Sequence, residues 1–366
     1  MSSTTAPAEV IAPFSYRRRP LEVRFGRGAA TEAVRAWVEE HDARRIMLVA
    51  SRSQADTAEQ LAAALGTRVV AHFADVVEHV PSQTAEAARQ VAADSRADLL
   101  LCVGGGSTTG TAKAVALSTG LPVLAVPTTL AGSEMTDTWG ITTDGRKRTG
   151  KDPAVLPRAV VYDSVLLRSL PERLAVTSAF NAMAHCVEAL WAPSANPVSS
   201  VLAGEAVHHL ARGLRALRGG RPDAPDALDA LQYGSFLAGV VFAEAGSGLH
   251  HTICHALGGT LDLPHAATHT VVLPQVLRFN APAIPAALDR LAAALGTEDA
   301  VDGLAELLVT TGAPRTLREL GMKAEDVPLV AGVVAEHLPI ANPRPVTPGS
   351  LEQILLMAYD EEGRHS

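Results

Sequence analysis

Four short apolar runs, "RRIMLVA", "RVVAHF", "ADLLLCV" and "PVLAVP", fall between Arg44 and Pro127, with helical patterns between them. The intervening stretches Ser53–Gly66, Ser82–Ser95 and "TGTAKAVALS" are rich in Ala and other helix formers, and Ser82 stands where a cap is expected. Strand–helix alternation of this kind predicts a doubly wound, mostly parallel sheet covered on both faces. Beyond "AVVYDSVLLRSLP" (Ala159–Pro171) the strand signals fade into long Ala- and Leu-rich helical patterns. The expected architecture is therefore an α/β dinucleotide-binding domain over residues 14–170, followed by an all-α catalytic domain over residues 171–363. At 366 residues two domains are the default. The Pro- and Gly-rich segment Arg218–Asp226 reads as a loop between helices.

"LLLCVGGGSTTGTAK" places Gly104, Gly105, Gly106 and Ser107 between an apolar strand and a helix N-terminus. Glycines let a ligand approach the backbone, and the free N–H groups and dipole of a helix start favour phosphate. The next strand ends in "PTTLAGSEMT", so Thr128, Thr129 and Ser133 fall beyond a strand C-terminus, where such sheets hold their ligand. The first strand of the alternation ends at Ser51 and Arg52 without a carboxylate. That leaves both NADH and NADPH open, since an acidic side chain there would favour NADH.

The formal charge is −8 with no long basic run, and aromatic residues make up 4%. Neither feature suits a nucleic-acid partner or an anionic membrane. Three cysteines, Cys102, Cys186 and Cys254, share no paired spacing, so no disulfide framework or thiolate zinc site is expected. The first residues lack the charged start and apolar core of a secretory leader, and a cytoplasmic protein is expected.

Histidines concentrate in "GLHHTICHALGGTLDLPHAATH" (Gly248–His269). His251 and His255 are one helical turn apart, Gly258–Gly259 read as the end of that helix, and His265 falls in the following turn. In "SAFNAMAHCVEA", Asn181, His185 and Glu188 share a helix face at i, i+4 and i+7. Such a set reads either as a metal site assembled from facing helices or as an acid–base cluster. His250, His208 and His209 read as ordinary structural residues.

The ordered series GGGS, "PTTLAGSE", "NAMAHCVEA" and "HHTICHALGG…LPHAATHTVVLP" resembles the iron-containing alcohol dehydrogenase superfamily, over about Phe14–Leu355. With "SEMT", "DGRKRTGKDPAVLP" and "NPRP" (Asn342–Pro345), it resembles the branch of that superfamily that reduces maleylacetate. The resemblance implies a nicotinamide cofactor, catalysis in a cleft between two domains, and a homodimer. It maps three metal-ligating histidines of the family onto His185, His251 and His265, and a conserved histidine near the nicotinamide onto His255. Three positions depart from the family pattern. The Asp ligand is Asn181, a neutral and weaker donor; the Asp of the helix after the glycine loop is Gly110; and Leu130 stands where the branch often has Tyr. A divalent metal, Fe or Zn, is thus compatible with the sequence but not expected to be required.

The implied substrate is a small dicarboxylate whose carbon–carbon double bond is conjugated to a ketone. Hydride added to the alkene carbon remote from the ketone develops enolate charge on the ketone oxygen, and a proton is then needed on the neighbouring carbon. Hydrogen-bond donors can stabilise that charge, and imidazole suits the proton step. His251 and His255 are expected to share these two roles, with Asn181 and His185 against the substrate. Arg344 and Arg146 are the cations expected to meet its carboxylates. The competing reading is a metal-dependent alcohol or aldehyde dehydrogenase of the same superfamily.

Overall fold

The computed structural model describes residues 14, 16 and 20–360, apart from 144–145 and 219–224. Its first half comprises β1 (Glu22–Phe25), α1 (Ala30–Glu40), β2 (Ile46–Ala50), α2 (Ala55–Leu65), β3 (Val69–Phe73), α3 (Ser82–Asp94), β4 (Leu99–Gly104), α4 (Gly106–Thr119) and β5 (Val123–Pro127). A hairpin follows, β6 (Thr138–Thr143) and β7 (Arg146–Lys151), and then β8 (Ala159–Tyr162). Six strands form one sheet in the order β1-β8-β5-β4-β2-β3, with every pair parallel. The α/β expectation holds, with a fully parallel sheet.

Every residue of β2, β4, β5 and β8 is buried, as strands covered on both faces require. Alternation then sends side chains to two cores. Ile46, Leu48 and Leu101 meet Val34, Trp37 and Leu61 of α1 and α2 on one face. Met47, Val49, Leu100 and Cys102 meet Ala88, Ala112 and Val115 of α3 and α4 on the other.

One local reading differs from the structure. Ser82 does not cap α3; the helix begins there, after Pro81, with no side-chain cap, because Pro81 ends the preceding extended segment one residue earlier. Arg146–Lys151 pairs antiparallel with Thr138–Thr143, the Thr-, Trp- and Ile-bearing partner supplying the β propensity that the cationic strand lacks.

The second half contains α5 (Glu172–Ala189), α6 (Pro197–Arg218), α7 (Pro225–Ala245), α8 (Leu249–Leu261), α9 (His265–Asn280), α10 (Pro285–Leu295), α11 (Ala300–Thr311), α12 (Val327–Ala335) and α13 (Pro348–Tyr359). The segment expected to be a loop near Arg218–Asp226 lies largely outside the described residues, and α6 and α7 flank it. No described helix is long and apolar enough to cross a membrane. Helix α5 is buried at every position from Ala175 to Ala189, so its polar residues have to find partners inside the protein. Helix α7 joins the halves. A Cβ on its Gly239 would come within 2.8 Å of Met135, and Gly239 itself sits against Gly132. Phe236 packs on Tyr162 of β8. These contacts hold the loop after β5 against α7, which in turn packs on α5.

Candidate active site

The sheet order reverses between β2 and β4, and that crevice is where a doubly wound sheet binds ligands. The register Ala50↔Val103 and Gly104↔Pro127 brings Ser51, the glycine loop and Thr128 to one edge. Gly104 has φ 152°, and a Cβ there would fall 2.4 Å from Thr108 Oγ1; one on Gly105 would fall 2.8 Å from Thr129 Cγ2. These two glycines are therefore required by backbone strain and close packing. Gly105, Gly106 and Ser107 remain partly open at the start of α4. Thr128 is buried with no partner for its hydroxyl, while Thr129 and Ser133 are half-buried.

Lys113, buried on α4, ties this edge together. Its Nζ donates to Ser133 O at 2.7 Å, Thr136 O at 2.8 Å and Thr138 O at 2.9 Å. Gly110, the departure from the family Asp, has a physical reason. A Cβ there would lie 2.8 Å from Val80 Cγ2, so the turn before α3 fills that space. Leu130 is fully buried in the helical core. Arg52 is exposed and pairs with Asp75, just beyond β3, at 3.3 Å. Asp75 is thus a carboxylate at this edge that the first-strand reading missed.

The second centre is a cluster of imidazoles on α5, α8 and α9. His185, His250, His251, His255, His265 and His269 are linked by ring contacts of 4.5–6.4 Å between centroids. Glu188 organises it. Its carboxylate accepts from Gly248 N at 2.7 Å, His250 N at 2.7 Å and His251 Nδ1 at 2.6 Å. With Nδ1 held by Glu188, His251 turns Nε2 toward His185, whose Nδ1 lies 2.8 Å from it. The i, i+7 spacing of Asn181 and Glu188 with His185 between them thus becomes a line of contacts from one helix to the next. Asn181 is buried beside this line, and its Oδ1 has no hydrogen-bond partner.

Burial pushes the Glu188 carboxyl up, but the hydrogen bond and charge of His251 and the backbone donors outweigh it, holding the group down at about 2. Burial lowers His250 to about 3, with His251 nearby adding to the effect. His185 and His269 are likewise lowered by burial and by their neighbouring imidazoles. These three are therefore neutral near pH 7.

His250 and His269 share a second hydrogen bond, Nε2 to Nδ1 at 2.8 Å, and both are fully buried. His250 had read as merely structural, and His269 had not been singled out. The spacing His265–His269, one helical turn, was the available signal. Two further expectations are corrected. Gly258 and Gly259 do not end α8, which continues to Leu261 and stops at left-handed Asp262. His265 is the first residue of α9 rather than part of a turn.

The residues fit the family's metal poorly. Where the family pattern has a carboxylate, this chain offers a neutral amide, and a hard divalent cation loses its anionic ligand. Nor do His185, His251 and His265 converge. Among the described residues, the His, Cys, Asp and Glu donors lying within 4.8 Å of one another belong to His250, Cys254 and His269. In that trio the two imidazoles are bonded to each other, and burial raises the Cys254 thiol well above its usual range.

Arg344 Nη1 donates to Phe279 O at 2.6 Å, and its guanidinium sits 4.4 Å over the Phe279 ring. Arg146 is exposed at the tip of the β6–β7 hairpin, which Thr142 ties to the backbone of His79 and Val80.

The profile of iron-containing alcohol dehydrogenase matches residues 20–164, and the C-terminal profile of the Fe-containing alcohol dehydrogenase family matches residues 175–359. The chain belongs to the iron-containing alcohol dehydrogenase family and is an oxidoreductase. The maleylacetate reductase of Sphingobium indicum is 44% identical to it over 349 residues, which is 95% of this chain and 97% of that protein. The crystal structure of maleylacetate reductase from a Rhizobium strain superposes with a TM-score of 0.91 at 37% identity, covering 95% of this chain and 98% of that one. An iron-containing alcohol dehydrogenase from Corynebacterium glutamicum superposes with a TM-score of 0.93 at 44% identity, covering 96% and 98%.

Proposed function

We propose that this chain is a maleylacetate reductase, which uses NADH or NADPH to reduce the carbon–carbon double bond of maleylacetate and gives 3-oxoadipate. Similarity to named maleylacetate reductases over nearly the whole chain supports the substrate. The observation that carries the chemistry is the buried Glu188–His251–His185 line beside an amide at position 181.

In this reading the glycine loop, Ser107, Thr128, Thr129, Ser133 and Ser51 hold the dinucleotide, with the start of α4 facing its phosphates. The dihydronicotinamide, when bound there, would supply hydride for the alkene carbon remote from the ketone. The electron pair of the double bond shifts to form the enolate, and a proton then adds to the carbon next to the ketone. That proton comes from His251 or His255, and the other imidazole donates to the enolate oxygen. Preorganised donors can carry that charge without a Lewis acid. Glu188 fixes which nitrogen of His251 faces the site. The Asn181 amide and His185 lie against the substrate.

No step here passes through a metal, in keeping with the poor fit of the donor set. The family resemblance extends the reading to a cytoplasmic homodimer, and sedimentation of the purified protein tests the dimer. The direct assay is oxidation of NADH and NADPH by the chelated protein with maleylacetate. Rapid oxidation supports the reading; activity only after metal is restored, or only with simple alcohols and aldehydes, overturns it.

A further inference from the structure

Gly259 is a glycine inside a helix that no packing contact requires. It lies in α8 without left-handed geometry, and a Cβ added there would meet nothing within 4 Å. Glycine at such a place weakens a helix by about 0.5–1 kcal/mol relative to alanine. The open space around it belongs to a cavity of about 420 Å³. Thr252, His255, Ala256, Gly259 and Thr260 line its α8 side, the i, i+3, i+4, i+7 and i+8 positions of a single helical stripe. Val333 of α12 and His337, just beyond that helix, line the opposite side.

His255 belongs to both places. Its ring is 6.2 Å from that of His251 and borders the cavity, so the cavity begins where the histidine cluster ends. The lining suits an anion: it includes two imidazoles and the Thr260 hydroxyl, Ala256 and Val333 are apolar, and no lining residue is acidic among the described residues. The Thr252 hydroxyl is already committed to Gly248 O at 2.8 Å, which leaves His337 as the lining donor contributed from outside α8. Arg344, the cation that the sequence suggested for this task, is engaged with Phe279 instead.

We propose that this cavity is the subsite for one carboxylate of the substrate, with His337 and Thr260 as its hydrogen-bond donors and Gly259 keeping it open; this rests on the maleylacetate reductase reading. His337 is then a specificity residue that separates dicarboxylates from simple ketones and enals.

Two variants test it by different routes, His337→Ala by removing a donor and Gly259→Leu by filling the space. Each is expected to raise KM for maleylacetate about 10- to 100-fold, the scale of a lost hydrogen bond to a charged group, while kcat and the KM for NADH change by less than about threefold. Gly259→Ala is expected to raise thermal stability, because the site is helical and uncrowded. That result would show that the glycine serves something other than folding. A wild-type enzyme that turns over maleylacetate, combined with an unchanged KM in both His337→Ala and folded Gly259→Leu, overturns the subsite and leaves the enzyme reading intact. A wild type inactive on maleylacetate overturns the enzyme reading itself, and the subsite with it.

Discussion

Replacing Glu188 by Gln removes one charge from the centre of the histidine cluster and leaves the shape of the side chain almost unchanged. The carboxylate is buried and accepts three hydrogen bonds from Gly248 N, His250 N and His251 Nδ1. An amide can accept at only one of its two heads, so at least one of those N–H groups faces another donor. The native environment lowers this carboxyl from its usual 4.5 to about 2; at about 1.36 kcal/mol per tenfold, that corresponds to roughly 3 kcal/mol of stability. The folded value is depressed, so this stability is present above the unfolded value of 4.5 and is lost as pH falls through it toward 2. Urea unfolding should therefore separate wild type from Glu188→Gln by about 3 kcal/mol near pH 7 and by about half that near pH 3. Loss of the group that fixes His251's tautomer should also lower kcat by roughly 10²- to 10⁴-fold, the scale seen when a catalytic imidazole loses its orienting carboxylate. NADH binding, which the proposed function assigns mainly to the glycine loop and the strand ends, should change little. A variant equally stable at both pH values, or one with near-normal kcat, would refute the assignment of Glu188 as the anchor.

Three further outcomes are expected. His251→Ala should lower kcat by about 10²- to 10⁴-fold with little effect on KM for NADH; near-normal turnover would take His251 out of the mechanism. Gly105→Ala, whose Cβ would press to 2.8 Å from Thr129, should weaken NADH binding about tenfold or more by displacing the loop, as read by fluorescence titration. An unchanged Kd would mean that the loop does not hold the cofactor. Asn181→Asp should gain divalent-metal affinity, seen as metal retained on dialysis, and equal metal content in variant and wild type would sink that account of the amide.

The alternating strands β2–β5 and the glycine loop were legible because each is local: an apolar run, a turn, a helix start. β1 was not. Its four residues, Glu22–Phe25, show no fully buried position, and pairing with β8, more than 130 residues away, is what makes them a strand. The Gly258–Gly259 pair misled for a related reason. Glycine near a helix end normally signals a cap, yet here the tertiary structure keeps open space beside Gly259, and the helix runs on. Asn181, His185, His251 and His255 could be found from helical spacing. His337 could not, since only the packing of α12 against α8 places it opposite His255. The contacts of Arg344 with Phe279 likewise carry no sequence signal.

Asn181 and the lowered histidines are two expressions of one constraint. Helix α5 is buried almost throughout, and a charge inside such a helical core is costly unless paired. Glu188 is charged and is matched by His251 and two backbone donors. A second carboxylate at position 181, one turn before His185 on the same helix, would demand a second positive charge. A divalent cation is one group that could supply that compensation. With an amide at 181 the demand disappears, and His185, His250 and His269 can stay neutral in the core, as their lowered values require. The histidines of a metal scaffold can therefore persist here as packed, hydrogen-bonded imidazoles. Their chemistry is free to be proton transfer and hydrogen bonding, which is what reduction of a conjugated double bond asks of the protein.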